Sequence, residues 1–304
     1  MELIKFENQD YQHLGGITLA LGEFDGLHLA HQKLINETIK YARENNLKAA
    51  VLTFDPHPDF VLKKRPYQGY ITPLTEKAKT LAALGIDYLI VVNFTEEFAS
   101  LLPEEFENNV LGKFDIRKIF IGFDYRYGAK GRGNSESLKA KYPVYVLERI
   151  DYNNKKMGSE GIRELLTHGR IQEVTKLLGR YYNIVGKVVP GNKVGRKLGI
   201  RTANINLEED YQYLKKGVYA VFVNIDSKRY FGVCNIGHNP TINYQKRPRL
   251  EVHILDYEKD LYGKYISIDF VEYLRPEIKF SDPESLVKQI EKDIINAKKI
   301  LEEV

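Results

Sequence analysis

The pattern of apolar runs changes abruptly near residue 181, and that change limits the fold more than any other feature of the chain. Up to about residue 180, short β-type runs alternate with helical ones: "ITLAL", a helix, "AAVLTF", a helix, "YLIVVNF", a helix, "KIFIGF", then "VYVLE". Alternation of this kind makes βαβ units and a parallel sheet, with ligands at the carboxyl ends of the strands. After "LLGRYYN" the helices all but vanish. "NIVGKVV", "GVYAVFVNI", "RYFGVCNIG", "LEVHILD" and "YISIDFVEYL" follow one another with turn residues between them, the spacing of a compact antiparallel barrel. The expectation is an α/β plus all-β chain, with a parallel domain over 1–180 and a small β-barrel with a C-terminal helix over 183–304. That last helix should open on a capping box of Ser281 and Glu284 and bury the stripe Leu286, Ile290, Ile294, Ala297, Leu301. In the first half, "TPLTEKAKTLAALG" reads as a helix that starts after Thr72 and Pro73 and stops at Gly85.

Composition removes several function classes. The formal charge of +4 over 304 residues does not announce a polyanion binder. One cysteine, Cys234, permits neither an intramolecular disulfide nor a cysteine metal site, and it reads as a small buried hydrophobe. No apolar run approaches a spanning helix, and "MELIKFENQD" lacks a signal-peptide core, so a soluble, cytoplasmic protein is expected.

The stretch "LGEFDGLHLAHQKLI", residues 21–35, carries the first chemistry. It leads from a buried strand through a glycine-bearing turn into a helix whose apolar positions are Leu34, Ile35, Thr38, Ile39 and Ala42. His28 and His31 therefore sit at a helix N-terminus, where unpaired N–H groups and the helix dipole suit phosphate. Read plainly, the two histidines are a turn residue and a capping side chain; a metal pair lacks a carboxylate at ligand spacing.

The segment "GEFDGLHLAH" resembles the G-x-F-D-G-x-H-x-G-H signature of the nucleotidyltransferase superfamily that includes bacterial FAD synthetases, with Ala30 in place of a glycine. The resemblance implies a Rossmann-like nucleotidyltransferase domain and a nucleotide site at Gly22, Phe24, Asp25 and Gly26, with His28 and His31 on the reacting phosphate. "TFDPHP" and "IGFDYRYGAKGRG" follow in the family's order. They imply flavin contacts from Pro56, His57, Arg126 and Tyr127, and Asp124 orienting the reactants. "GSEGIRELL" is similar to the family's serine-rich helix start: Ser159 would bind nucleotide and Arg163 the leaving pyrophosphate, while Gly158 and Glu160 replace hydroxyl residues.

In the second half, "GNKVGRKLGIRTANINL", "GVYAVFV", "GVCNIGHNPTI" and "LEVHILDYEKDLYGK" resemble the riboflavin kinase module over nearly all of 183–295. There is no Walker A pattern. The resemblance implies that Thr202 and Asn204 hold Mg²⁺ and ATP, that Glu251 is the base, and that Gly191, Gly195, Arg196 and Gly199 approach the nucleotide. Arg201 stands where the family has proline. His238 and His253 read as structural or rim residues. The implied activity is flavin cofactor synthesis, riboflavin to FMN and FMN to FAD, with ATP, Mg²⁺, riboflavin, FMN and FAD as its small molecules. No nucleic-acid or membrane partner is implied, and the oligomeric state stays open. Two alternatives also stay open at this point. Only one module could be active, given Gly158 and Glu160 in one and Arg201 in the other. Or the chain could be a non-catalytic flavin- or RNA-binding regulator, with "LKKRPY" and "YQKRPRL" as basic patches.

Overall fold

The computed structural model describes residues 1–63, 69–191, 200–237 and 249–304. The chain divides into two compact units, Met1–Tyr67 with Thr72–Ser159, and Gln68–Ile71 with Glu160–Val304.

The first unit is built on a six-stranded parallel sheet. In chain order its strands are β1 (Glu2–Lys5), β2 (Ile17–Leu21), β3 (Lys48–Asp55), β4 (Tyr88–Asn93), β5 (Ile116–Gly122) and β6 (Val144–Leu147). They lie across the sheet in the order β1-β4-β3-β2-β5-β6, every neighbour parallel. Helices cover both faces, so β2 is buried at all of its positions and reads as a continuous apolar run rather than an alternating one. The helices are α1 (Leu29–Glu44), α2 (Pro58–Val61), α3 (Leu74–Leu84), α4 (Glu96–Ser100), α5 (Pro103–Asn109) and α6 (Ser135–Lys139). A small hairpin of β7 (Asp151–Tyr152) and β8 (Lys155–Lys156) precedes α7 (Ser159–His168). As expected, α3 ends on Gly85 in the left-handed conformation, but Pro73 rather than Thr72 is its N-cap. The Thr72 N–H donates to the Asp25 carboxylate.

The second unit contains most of α7, then α8 (Ile171–Leu178) and six antiparallel strands that close into a barrel. These are β9 (Tyr182–Val189), β10 (Ala203–Asn206), β11 (Gly217–Ile225), β12 (Lys228–Gly237), β13 (Arg249–Ile254) and β14 (Tyr265–Arg275). Around the barrel the order is β10-β13-β12-β11-β14-β9. β11 has an apolar residue on both faces because one lines the barrel and the other packs under α9 (Pro283–Glu302). Of the expected stripe, Ala297 and Leu301 are buried while Leu286, Ile290 and Ile294 are half-buried, and Arg275 locks the contact with a two-pronged ion pair to buried Asp293. The expected Ser281 cap is corrected: Asp282 is the N-cap, accepting from the Ser285 N–H at 2.8 Å. Among the described residues no helix is long and apolar enough to cross a membrane.

Candidate functional site

In the parallel sheet, β2 has β3 on one side and β5 on the other. The strand order reverses there, and open α/β sheets bind ligands beyond the carboxyl ends of strands at such a switch point. Residues 22–28 follow β2 and residues 123–133 follow β5, so both segments singled out in the first half leave from this crevice.

The turn after β2 has unusual backbone. Phe24 (φ 52°), Gly26 (φ 84°) and Leu27 (φ 44°) are all left-handed, which costs a non-glycine residue about 1–3 kcal/mol. Its surroundings hold it there. Phe24 and Leu27 are buried, and a Cβ on Gly22 would stand 3.1 Å from the Phe24 ring. The buried Lys77 ammonium donates to the Glu23 carbonyl at 2.6 Å and to the Thr53 hydroxyl at 3.2 Å. Thr53 donates to the same carbonyl at 2.9 Å. The buried Asp25 carboxylate accepts the Thr72 N–H at 3.0 Å, and the Asp25 carbonyl accepts the Ser159 hydroxyl at 2.8 Å. Asp25 and Ser159 are therefore bound to each other as supports of the turn.

His28 caps α1: its Nδ1 accepts the His31 N–H at 3.4 Å. This contact assigns the His28 proton to Nε2. The two imidazoles stack with centroids 3.7 Å apart, and Phe24 meets His31 edge-on. Burial, reinforced by His28 and Lys77, holds His31 well below the usual imidazole range, and its Nδ1 is buried without a partner. A neutral His31 can still present an N–H donor to a phosphate. The depressed His31 value has a consequence for stability. The unfolded chain takes up a proton at His31 below about pH 6.5 while the fold resists it, so stability is full above that pH and falls as pH drops through it. Urea midpoints between about pH 7.5 and 5.5 should show wild type losing up to about 1.4 kcal/mol per pH unit more than His31→Gln. Parallel pH profiles for the two proteins would refute this.

The remaining expected residues of the first half are more scattered in role. Asp124 is exposed and ion-paired with Lys156, and Arg126 is exposed. Tyr127 is a core residue whose hydroxyl bonds to buried Glu107 and, at 2.9 Å, to Ser137. His57 is buried as the cap of α2, its Nδ1 accepting the Asp59 N–H at 3.1 Å, and Pro56 beside it is exposed. Arg163 is buried, donating to the Gly69 carbonyl at 2.7 Å and to Gln212. Glu160 is exposed, and a Cβ on Gly158 would meet nothing nearer than a lysine carbon at 4.0 Å.

In the barrel, strand register assembles the second site. β10 pairs with β13 so that Asn204 stands opposite Glu251, and β12 places Asn235 opposite Glu251 on the other side. Arg249 bridges the first pair: it donates to the Asn204 amide oxygen at 3.3 Å and is ion-paired with Glu251. His253, on the same face of β13 as Glu251, bonds through Nδ1 to the Arg201 carbonyl at 2.6 Å and so tethers the chain just before Thr202. A side chain at Gly191 would run into the Asn204 amide, which explains the glycine. Cys234 is buried with its thiol pushed up by burial, in keeping with an inert packing role. Gly195, Arg196, Gly199 and His238 lie outside the described residues, as does most of both basic patches.

Sequence reasoning missed Glu23, Lys77, Tyr125 and Arg249. Lys77 looked like any helix-surface lysine, and Arg249 like one more charge in "YQKRPRL".

The FAD synthetase family matches residues 10–162 and the riboflavin kinase family residues 178–301. Among curated proteins, the bifunctional riboflavin kinase/FMN adenylyltransferase of Listeria monocytogenes is 40% identical, covering 90% of this chain and 89% of its own length. The enzyme of the same description from Escherichia coli is 32% identical over 93% of this chain and 92% of its own. A crystal structure described as a macrolide-efflux protein from Streptococcus pneumoniae superposes with a TM-score of 0.89 at 30% identity, covering 97% of this chain and 98% of that one. With both modules matched in order and the relatives aligned nearly end to end, the chain belongs to the bifunctional riboflavin kinase/FMN adenylyltransferase family.

Proposed function

We propose that the barrel, within 183–304, phosphorylates riboflavin to FMN with ATP, and that the parallel domain, within 1–180, joins FMN to AMP to form FAD and pyrophosphate. Family membership carries both activities, and the register pair Asn204–Glu251 is the observation that best supports the division of labour. It sets an amide oxygen for the nucleotide beside a carboxylate that can take the proton of the ribityl hydroxyl as that oxygen attacks the γ-phosphate. In the parallel domain, His28 and His31 donate to the α-phosphate as the FMN phosphate attacks it, and Asp124 orients the reactants.

Mg²⁺ is the cation proposed for the kinase site, where it would draw charge from the transferring phosphates. The Thr202 hydroxyl and the Asn204 amide oxygen would hold it, with water and phosphate completing its shell. The hard oxygen donors and the close fit of Asn204 against Gly191 support this. The proposed setting is the cytoplasm, with small molecules rather than nucleic acid or membrane as partners.

Incubation with ATP, Mg²⁺ and either riboflavin or FMN, followed by chromatographic separation of the flavins, tests the reading. FMN from riboflavin and FAD from FMN are expected. FAD missing from the FMN reaction would show a silent adenylyltransferase module, and FMN missing from the riboflavin reaction a silent kinase.

A further inference from the structure

The segments that follow β2 and β5 carry buried polar groups without hydrogen-bond partners. Both carboxylate oxygens of Glu23 are buried without a hydrogen-bond partner, and so is the hydroxyl of Tyr125. Glu23 follows the end of β2 and Tyr125 the end of β5, and these strands are neighbours with Ala20 opposite Phe120. Burial raises the Tyr125 phenol above its usual range, and the charge of Glu23 adds to the rise. Lys77 donates to the Glu23 carbonyl and the Thr53 hydroxyl and makes no hydrogen bond to the Glu23 carboxylate. Burial also pushes the Glu23 carboxyl well above the usual range, against the pull of Lys77, with Asp25, Asp59 and Asp55 adding to the push. A carboxyl in that setting can donate as well as accept. Buried polar atoms are almost always hydrogen-bonded, and exceptions call for a missing partner.

We propose that Glu23 and Tyr125 read the pyrimidine edge of the flavin ring, with Glu23 accepting N3–H and donating to one flanking carbonyl while Tyr125 donates to the other. This rests on FMN being the substrate of the N-terminal domain. The edge presents acceptor, donor and acceptor in a row, three groups for three orphaned oxygens. The adenine edge of ATP has related donor–acceptor chemistry, but its N6 and N1 offer only two groups. Glu23 and Tyr125 are thus specificity-determining residues for the acceptor substrate, distinct from the histidines that face the nucleotide phosphates.

The test compares FMN with 3-methyl-FMN, which lacks the N3–H, as substrates for FAD formation by the full chain. Wild type should prefer FMN by about tenfold or more in kcat/KM, because a site built to pair a donor rejects an analogue without it. In Glu23→Ala the preference should shrink to less than about threefold, with KM for FMN raised and KM for ATP unchanged. Equal use of the two flavins by wild type would overturn the proposal while leaving the adenylyltransferase intact, and it needs no variant to fold. A parallel arm replaces ATP with its 6-deamino analogue. If Glu23→Ala erases discrimination there instead, the groups read adenine and the proposal fails. No turnover of FMN at all would remove the underlying reading, and the proposal with it.

Discussion

Replacing Glu251 with alanine should lower riboflavin phosphorylation by about 10²–10⁴-fold, the usual size for loss of a general base, and leave conversion of FMN to FAD unchanged. The expected defect is in kcat more than in KM, because the carboxylate acts on a proton that moves in the transition state. Arg249 sharpens the expectation. In wild type its guanidinium is shared between Asn204 and Glu251, so Glu251→Ala removes one partner while Asn204 keeps its own. Glu251→Gln offers a stricter version, since the amide preserves size and can still pack between Asn204 and Asn235 but cannot accept the proton as a carboxylate does. Turnover of Glu251→Gln within about twofold of wild type would mean that the base lies elsewhere. Rates are best taken from initial formation of FMN, with FAD counted as FMN already made.

The second large effect is expected at His28. Substitution there is complicated by its capping role, since its Nδ1 accepts the His31 N–H and losing an N-cap costs about 1 kcal/mol. Asparagine is among the best N-cap residues, so His28→Asn separates the two functions. It should keep α1 capped and the thermal midpoint near that of wild type, while FAD formation falls by about 10²–10³-fold, the size seen when one donor to a developing charge is lost. Riboflavin phosphorylation should not change. If His28→Asn makes FAD at a third of the wild-type rate or better, the imidazole is a cap and nothing more.

Much of the architecture was legible because it is written in local periodicity. The switch from alternating strands and helices to consecutive strands, the apolar stripe of α9 and the strand-to-helix turn at Gly22–His28 each depend on neighbours within a few residues. What escaped depends on residues far away in sequence. β10 was read only as the T-A-N segment of a motif, yet it pairs with β9 and β13 to close the barrel. β1 is a four-residue edge strand that exists because β4 lies beside it. The bond from the Thr72 N–H to Asp25, 47 positions earlier, has no local signal at all. Ser281 lost the capping role to its neighbour Asp282, a choice between two good candidates. At the candidate sites the motif residues were visible, and their supports were not. Glu23 lay inside the quoted turn without notice, since nothing local distinguishes a solvated glutamate from one buried with both oxygens unpaired.

The barrel is sealed by its shortest strand. β10 contributes four residues, against ten in β12 and eleven in β14, and it carries Asn204. A ligand that grips this strand grips the seam, and it has affinity for the closed barrel but none for the opened one. By mass action such a ligand at a hundred times its dissociation constant adds about 2.7 kcal/mol against opening. The durability of the kinase module would then be a property of the nucleotide supply as much as of its own packing: the barrel would be best protected when ATP is plentiful and least protected when ATP runs out.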